Sequence, residues 1–208
     1  LKTEQHIAVL IMAAGASKRM DGIKQLMPWK DSNFLLETIK TVQRSKANSL
    51  YVVLGSNAEF IMSECHLIKK GIAIIVNPNW NNGLGDSIAY GVKVLLEQQH
   101  NLKGILICLA DQPLLTYNYL DTLIHQSKKH PSKIIATYYG KRVGVPALFP
   151  KLLFKDLSVL KGDSGAKELL NNGLKAIITL DAENQTLDID TKEEYNQLLS
   201  TINNTYNH

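Results

Sequence analysis

The sequence predicts an α/β fold, a three-layer sandwich in which a mostly parallel, mixed sheet carries helices on both faces. Two observations lead there. Apolar runs of strand length alternate along the chain with amphipathic segments of helix length. The runs are continuously apolar, as strands buried on both faces must be. The length of 208 residues, with 45% hydrophobic and 20% charged residues, allows a full core and argues against a disordered chain.

The elements follow in order. Ile7–Met12 reads as a buried strand, and a polar, glycine-containing loop runs from it to about Pro28. A helix comes next, with Ser32 as candidate cap and Leu35, Ile39 and Val42 on one face. Tyr51–Leu54 and Ile72–Val76 read as strands two and three. The segment Asn77–Asp86 reads as a loop leading to a helix that buries Ile88, Val92, Leu95 and Leu96. Gly104–Leu109 is a fourth strand, and Thr116–Lys129 a helix with Leu120, Leu123 and Ile124 inward. Ile134–Tyr139 and Val145–Phe149 read as strands joined by a turn at Gly140–Gly144. Short helices near Leu152–Leu157 and Ser164–Asn171, a strand at Ala176–Leu180 and a helix from Thr191 complete the chain. No repeat or linker interrupts this pattern, so one domain over 1–208 is expected, with its core at about 7–195 and a polar tail at about 200–208.

Charge and composition remove several classes of function. The formal charge is +4, but no Lys/Arg run is longer than two residues, as at Lys128–Lys129, so no nucleic-acid-binding face is indicated. Cys65 and Cys108 form no CxxC pair, and the six histidines show no HxxxH spacing, which argues against a disulfide framework or a zinc site. The longest apolar run, Ile7–Ala14, is too short to span a bilayer and lacks a basic leader, so no membrane association and a cytoplasmic location are expected.

In open α/β sheets, ligands bind beyond the carboxyl ends of the strands. Four segments sit there. The loop after the first strand, Ala13–Gln25, has small residues that let backbone N–H groups approach phosphate oxygens. Within it, Arg19 offers a guanidinium fork and Lys24 a point charge, although a solvated turn would share that composition. It is neither a GxxxxGK[ST] loop nor a dinucleotide fingerprint. Asp111 closes the fourth strand, where a carboxylate suits Mg²⁺ or simply opens a turn before Pro113. Asp188 and Asp190 fall on one side of an extended segment before the last helix; one would be a second metal ligand, or Asp190 or Thr191 caps that helix with Glu193 or Glu194. Gly83 and Gly85 permit close backbone approach, and Ser87 offers a hydroxyl for a base edge, although turns of this composition are common.

Taken in order, Ala14-Gly15-Ala16-Ser17-x-Arg19-Met20, Lys24-Gln25-Leu26, Asn77-Pro78-x-Trp80-x-x-Gly83-x-Gly85-x-Ser87-Ile88 and Asp111-Gln112-Pro113 resemble the MobA-like NTP-transferase family. Gly144-Val145-Pro146-x-x-Phe149, Gly162–Lys167 and Asp188–Thr191 extend the resemblance over about residues 7 to 195. It is nearest to the molybdenum cofactor cytidylyltransferases of the MocA type. The resemblance implies a Rossmann-like nucleotide-diphospho-sugar transferase fold and an Mg²⁺-dependent transfer of CMP from CTP to molybdopterin or molybdenum cofactor, releasing pyrophosphate. It implies nucleotide contacts at Ala13, Ala14, Gly15, Arg19, Lys24, Gly83, Gly85 and Ser87, with Arg19, Lys24 and Asp111 serving catalysis. It places metal at Asp111 and Asp190, and the acceptor at Gly144, Pro146, Asp163 and Gly165. The product would pass to a molybdenum hydroxylase or its chaperone. Guanylyl transfer, a sugar or polyol phosphate acceptor, and a carrier without turnover remain the other readings. Relatives often have glycine where this chain has Asp21, and arginine where it has Ser164.

Overall fold

The computed structural model describes residues 6–17, 20, 22–171, 176–183, 185, 187–189 and 191–205. The chain opens with strand β1 (His6–Ala13), the short strands β2 (Pro28–Trp29) and β3 (Ser32–Asn33), helix α1 (Phe34–Arg44) and strand β4 (Ser49–Leu54). Helix α2 (Ala58–Glu64), strand β5 (Ala73–Val76), helix α3 (Leu84–Gln98), strand β6 (Leu102–Leu109) and helix α4 (Tyr117–Lys129) follow. The second half adds strands β7 (Ile134–Tyr138) and β8 (Val143–Pro150), helices α5 (Phe154–Leu157) and α6 (Lys167–Asn171), strand β9 (Ile177–Asp181) and helix α7 (Lys192–Thr205).

Seven strands form one sheet in the order β5-β4-β1-β6-β8-β7-β9. β1 pairs in parallel with both β4 and β6, and β8 runs antiparallel to both of its neighbours. This is the mixed, mostly parallel sheet that the sequence predicts. From β1 the chain first builds outward through β4 and β5, then returns to place β6 on the other side. That reversal leaves a crevice beyond the carboxyl end of β1, the position where open α/β sheets bind ligands.

Alternation along β1 builds two cores. Ile7, Val9 and Ile11 face Leu35, Ile39 and Val42 of α1 and Leu120, Leu123 and Ile124 of α4. Ala8, Leu10 and Met12 face Ile88, Val92 and Leu95 of α3, with Phe154 and Leu157 of α5. A strand with side-chain period two, apolar on both faces, has to be covered on both, and the three layers follow. A third cluster seats α7 on the β2–β3 hairpin through Trp29, Phe34, Ile189 and Tyr195. Both cysteines are free and buried, and burial pushes their thiols above the ordinary value, so they pack as small apolar groups. Among the described residues, no helix is long and apolar enough to cross a membrane.

Four details differ from the sequence reading. Ser32 does not cap α1. The chain stays extended through Asn33 to pair with β2, so the cap moves one residue on and Asn33 Oδ1 accepts from the Leu36 N–H at 2.9 Å. Ser32 Oγ instead donates to Glu37 Oε1 at 2.7 Å. α3 begins at Leu84, inside the segment read as a loop, because Gly83 at φ +113° turns the chain directly into the helix. α2 went unforeseen, since it spans only two turns and exposes Phe60, which blurs its apolar face. The two-residue strands β2 and β3 are too short to carry a period.

The cap assignment can be checked. Asn33→Ala should lower unfolding free energy by about 1 kcal/mol in urea denaturation, the usual cost of losing an N-cap side chain. Ser32→Ala, which removes no cap, should stay within about 0.5 kcal/mol.

Candidate active site

The crevice beyond β1 is shaped first by a loop that folds back on itself. Ser17 takes a left-handed conformation, φ 53°, and its Oγ accepts from the Lys24 N–H at 3.0 Å. A single turn of 3-10 helix, Lys24–Leu26, then presents Lys24 and Gln25 inward. Gln25 is almost fully buried, and its Nε2 donates to Ala13 O at 2.8 Å and Gly15 O at 3.1 Å. One amide therefore clamps both ends of the Ala13–Gly15 segment. A Cβ placed on Gly15 would meet nothing within 4 Å, so the backbone there faces open space that a ligand can enter.

Lys24 Nζ donates to Asp111 Oδ2 at 2.5 Å, joining the β1 loop to the end of β6 across 87 positions of sequence. Both groups are largely buried, which makes the pairing obligatory. The other carboxylate oxygen, Asp111 Oδ1, is buried with no hydrogen-bond partner among the described residues. A buried, unmet carboxylate oxygen is costly unless something positive reaches it. A hard, anionic oxygen in that state fits a divalent cation, with Asp111 as ligand.

The third wall is the segment before α3. Asn77 is buried; its Nδ2 donates to Ser87 Oγ at 3.1 Å, and its Oδ1 accepts from the Asn79 N–H at 3.0 Å. Gly83 and Gly85 press against residues 161–163. A Cβ on Gly83 would lie 2.5 Å from the Gly162 carbonyl carbon, and one on Gly85 2.7 Å from Lys161 O. Gly85 N–H donates to Gly162 O, and Gly162 N–H donates to Asp86 Oδ2, both at 2.7 Å.

Two cavities result. The first, about 510 Å³, is lined by Ala13, Ala14, Gly15, Lys24, Gly83 and Ser87, with Trp80 and Asp163. The second, about 360 Å³, is lined by Tyr139, Arg142, Gly144, Val145, Lys167 and Asp188. Leu84, Leu109 and Asp111 border both, so Asp111 stands at their seam. Both volumes suit small-molecule ligands.

The sequence-predicted residues are distributed unevenly. Asp163, expected on the acceptor side, lines the first cavity beside Gly83. Gly144 lines the second cavity. Pro146 lies outside both linings, its carbonyl accepting from Thr137 Oγ1 at 2.7 Å, and Gly165, φ 58°, packs against Leu84. Gly85 holds the 161–163 segment and is not in either lining. Arg19 and Asp190, like Asp21, lie outside the described residues. The cap of α7 is Thr191, which accepts from Glu194 N–H at 3.2 Å, while Glu194 Oε2 accepts from Thr191 N–H at 2.9 Å. Sequence reasoning gave no role to Gln25, Tyr139, Arg142 or Gln112. Gln112 is buried, and its Nε2 donates to Asp188 Oδ1 at 2.8 Å and to Tyr139 Oη at 2.9 Å. Its place beside Asp111 was the available signal.

The model of the MobA-like NTP transferase domain matches residues 9–177, from β1 to the start of β9. The chain belongs to that family. This MobA-like protein is 31% identical over 201 residues to purine catabolism protein PucB of Bacillus subtilis (strain 168), covering 93% of this chain and 96% of PucB. It is 27% identical over 201 residues to nicotine blue oxidoreductase of Paenarthrobacter nicotinovorans, covering 91% of this chain and 95% of that protein. The crystal structure of Rv0371c from Mycobacterium tuberculosis H37Rv superposes with a TM-score of 0.80 at 28% identity, over 94% of this chain and 98% of that one. A manganese complex of Rv0371c superposes with a TM-score of 0.76 at 26% identity, over the same 94% and 98%. Family and fold together make this MobA-like chain a nucleotidyltransferase with a nucleotide substrate.

The docking of residues 161–163 on α3 is testable. Gly83→Ala adds a methyl where backbone already stands and forces a positive φ on alanine, so it should cost about 1–3 kcal/mol of unfolding free energy. Gly15→Ala, facing open space, should leave the urea midpoint unchanged.

Proposed function

We propose that this protein transfers CMP from CTP to the terminal phosphate of molybdopterin, with or without molybdenum, forming the cytosine dinucleotide and pyrophosphate in the cytoplasm. The observation that carries the chemistry is the Lys24–Asp111 pair at the seam of two adjoining cavities. One cavity takes the nucleotide, the other the acceptor, and the charged pair lies where they meet.

In this reading the triphosphate lies along Ala13, Ala14 and Gly15, where the backbone opens to space at Gly15. Lys24 neutralises charge that develops at the α-phosphate, and Arg19 grips the outer phosphates through its fork. Asp111 and Asp190 would hold the cation, Mg²⁺; when bound, it supplies charge neutralisation on the triphosphate oxygens. An oxygen of the acceptor phosphate attacks the α-phosphorus in line. The new P–O bond forms as the bond to the β-phosphate oxygen breaks, and pyrophosphate leaves with the electron pair. The acceptor phosphate is already ionised, so no protein nucleophile or base is needed. Catalysis is positioning plus electrostatics.

CTP is favoured over GTP by the resemblance to the cytidylyltransferase type and by Ala14, where guanylyl-transferring relatives usually carry glycine. The Ala14 methyl narrows the first cavity beside the base. The pterin acceptor is supported by the Gly144–Phe149 and Gly162–Lys167 motifs. Of these, Gly144, Ser164 and Lys167 line the second cavity, together with Arg142, whose guanidinium lies 5.3 Å from the Tyr139 ring centroid. The product would then pass to a molybdenum hydroxylase or its chaperone.

Three measurements test this. Asp111→Asn should still fold, at a lower melting temperature because Lys24 loses its partner charge, and should lower turnover at least ~100-fold with Mg²⁺ present, the scale of losing one preorganised electrostatic contact. Lys24→Ala should act mainly on kcat, because its charge is needed most in the transition state. Calorimetry and product analysis with CTP, GTP, ATP and UTP, using molybdenum cofactor as acceptor, should show CTP preferred. Preference for GTP would reassign the base. Turnover only on a sugar or polyol phosphate would reassign the acceptor. Cofactor binding with no pyrophosphate released would make the protein a carrier.

A further inference from the structure

Trp80 takes no part in the chemistry above, yet it lines the first cavity. It stands on a single 3-10 turn, Trp80–Asn82, between β5 and α3. That turn is held at both ends. Asn77 N–H donates to Leu54 O at 2.8 Å and anchors the entry, and Gly83 N–H donates to Trp80 O at 3.2 Å and fixes the exit. The side chain is set against Gly55, immediately after β4. A Cβ on Gly55 would fall 2.3 Å from Trp80 Cβ, 2.7 Å from Trp80 Cγ and 2.8 Å from Ala14 O. Glycine is therefore required at 55 for the indole to lie beside the β1 loop. Trp80 is only half-buried, and its N–H has no partner among the described residues. A large, rigid aromatic left partly open on a mostly apolar cavity is a flat surface that a ring can cover.

Its place along the sheet says what would cover it. Gly55 follows β4 and Asp111 follows β6, and these strands flank β1 on opposite sides. Adjacent strands lie about 4.8 Å apart, so the Trp80 wall and Asp111 stand about 10 Å apart across the carboxyl edge. That is the scale separating a nucleobase from its phosphates. With phosphates at Lys24 and Asp111, the base falls at Trp80.

We infer that Trp80 is a stacking wall for the nucleobase of the bound triphosphate, and that Gly55 positions it. The inference rests on the first cavity being the nucleotide site. An indole face accepts every base, so Trp80 contributes affinity without choosing the base, and the choice falls to the hydrogen-bonding groups and to Ala14. It is a binding residue, separate from the groups at the α-phosphate.

The test compares CTP, GTP and inorganic tripolyphosphate as ligands of the full chain in calorimetry with Mg²⁺. Trp80→Leu should weaken CTP and GTP each about 10-fold, within the range for loss of one base–aromatic stack, and leave tripolyphosphate unchanged. Trp80→Phe should restore most of the affinity, and Gly55→Ala should reproduce the loss by displacing the indole. The chain has two tryptophans. In a Trp29→Phe background, Trp80 emission should be quenched by CTP and not by tripolyphosphate. Unchanged CTP binding in Trp80→Leu would overturn the inference while leaving the nucleotide site standing. Equal weakening of CTP and tripolyphosphate would also overturn it, by making Trp80 a prop for the loop. No triphosphate binding to the native chain would remove the nucleotide site itself.

Discussion

The ion pair of Lys24 and Asp111 is the constraint around which this molecule is arranged. Each charge is mostly withdrawn from water, and neither can be left alone there without a large penalty. The loop after β1 and the end of β6 are therefore tied at a fixed distance. The neighbouring contacts sustain that tie: Gln25 clamps Ala13 and Gly15, and Ser17 holds the Lys24 backbone. The pair sits at the point where the sheet order reverses. A parallel strand on either side of β1 supplies one wall each, and the chain must leave a gap between the connections that depart in opposite directions.

The amino end of α3 shows how the fold divides its polar groups. A helix amino terminus carries unpaired N–H groups and favours anions. Here two of them are met by the chain itself, since Gly83 N–H donates to Trp80 O and Gly85 N–H donates to Gly162 O. Asp86 in the same turn accepts from Gly162 N–H, so the exchange is reciprocal. Gly83 and Gly85 are there to let backbone meet backbone. The consequence is a partition, with Leu84 between the cavities.

Gln112 links the second cavity to the first. It follows Asp111, is buried, and donates from one amide nitrogen to Asp188 and Tyr139. Tyr139 Oη donates in turn to Val145 O, and Arg142 lies 3.6 Å from Asp188 Oδ2. Gln112 Oε1 is buried without a partner among the described residues. Polar networks of this kind are rigid where satisfied and exposed to perturbation where not. This one fixes the walls of the second cavity to the residue that follows Asp111.

The sheet, its two covered faces and the crevice beyond the end of β1 were legible in the order of residues. Continuous apolar runs such as Ile7–Met12 permit little but a doubly covered parallel strand, and Asp111 at the end of such a run is polar where burial forbids it without purpose. These are local patterns, and a local pattern survives in one dimension. The family motifs marked the loops for the same reason. What the sequence could not decide depends on distance between remote positions. Gly85 reads as ligand-facing until the 161–163 segment arrives against it, and Asp163 reads as acceptor-facing until Gly83 brings it into the first cavity. Ser32 loses the cap to Asn33 because β2, four residues earlier, pairs with it and keeps the chain extended. Which oxygen of Asp111 meets Lys24, and which is left unmet, is set by packing between elements 87 positions apart. Side-chain chemistry is written in the sequence, but its partners are chosen by how the sheet and helices close on one another.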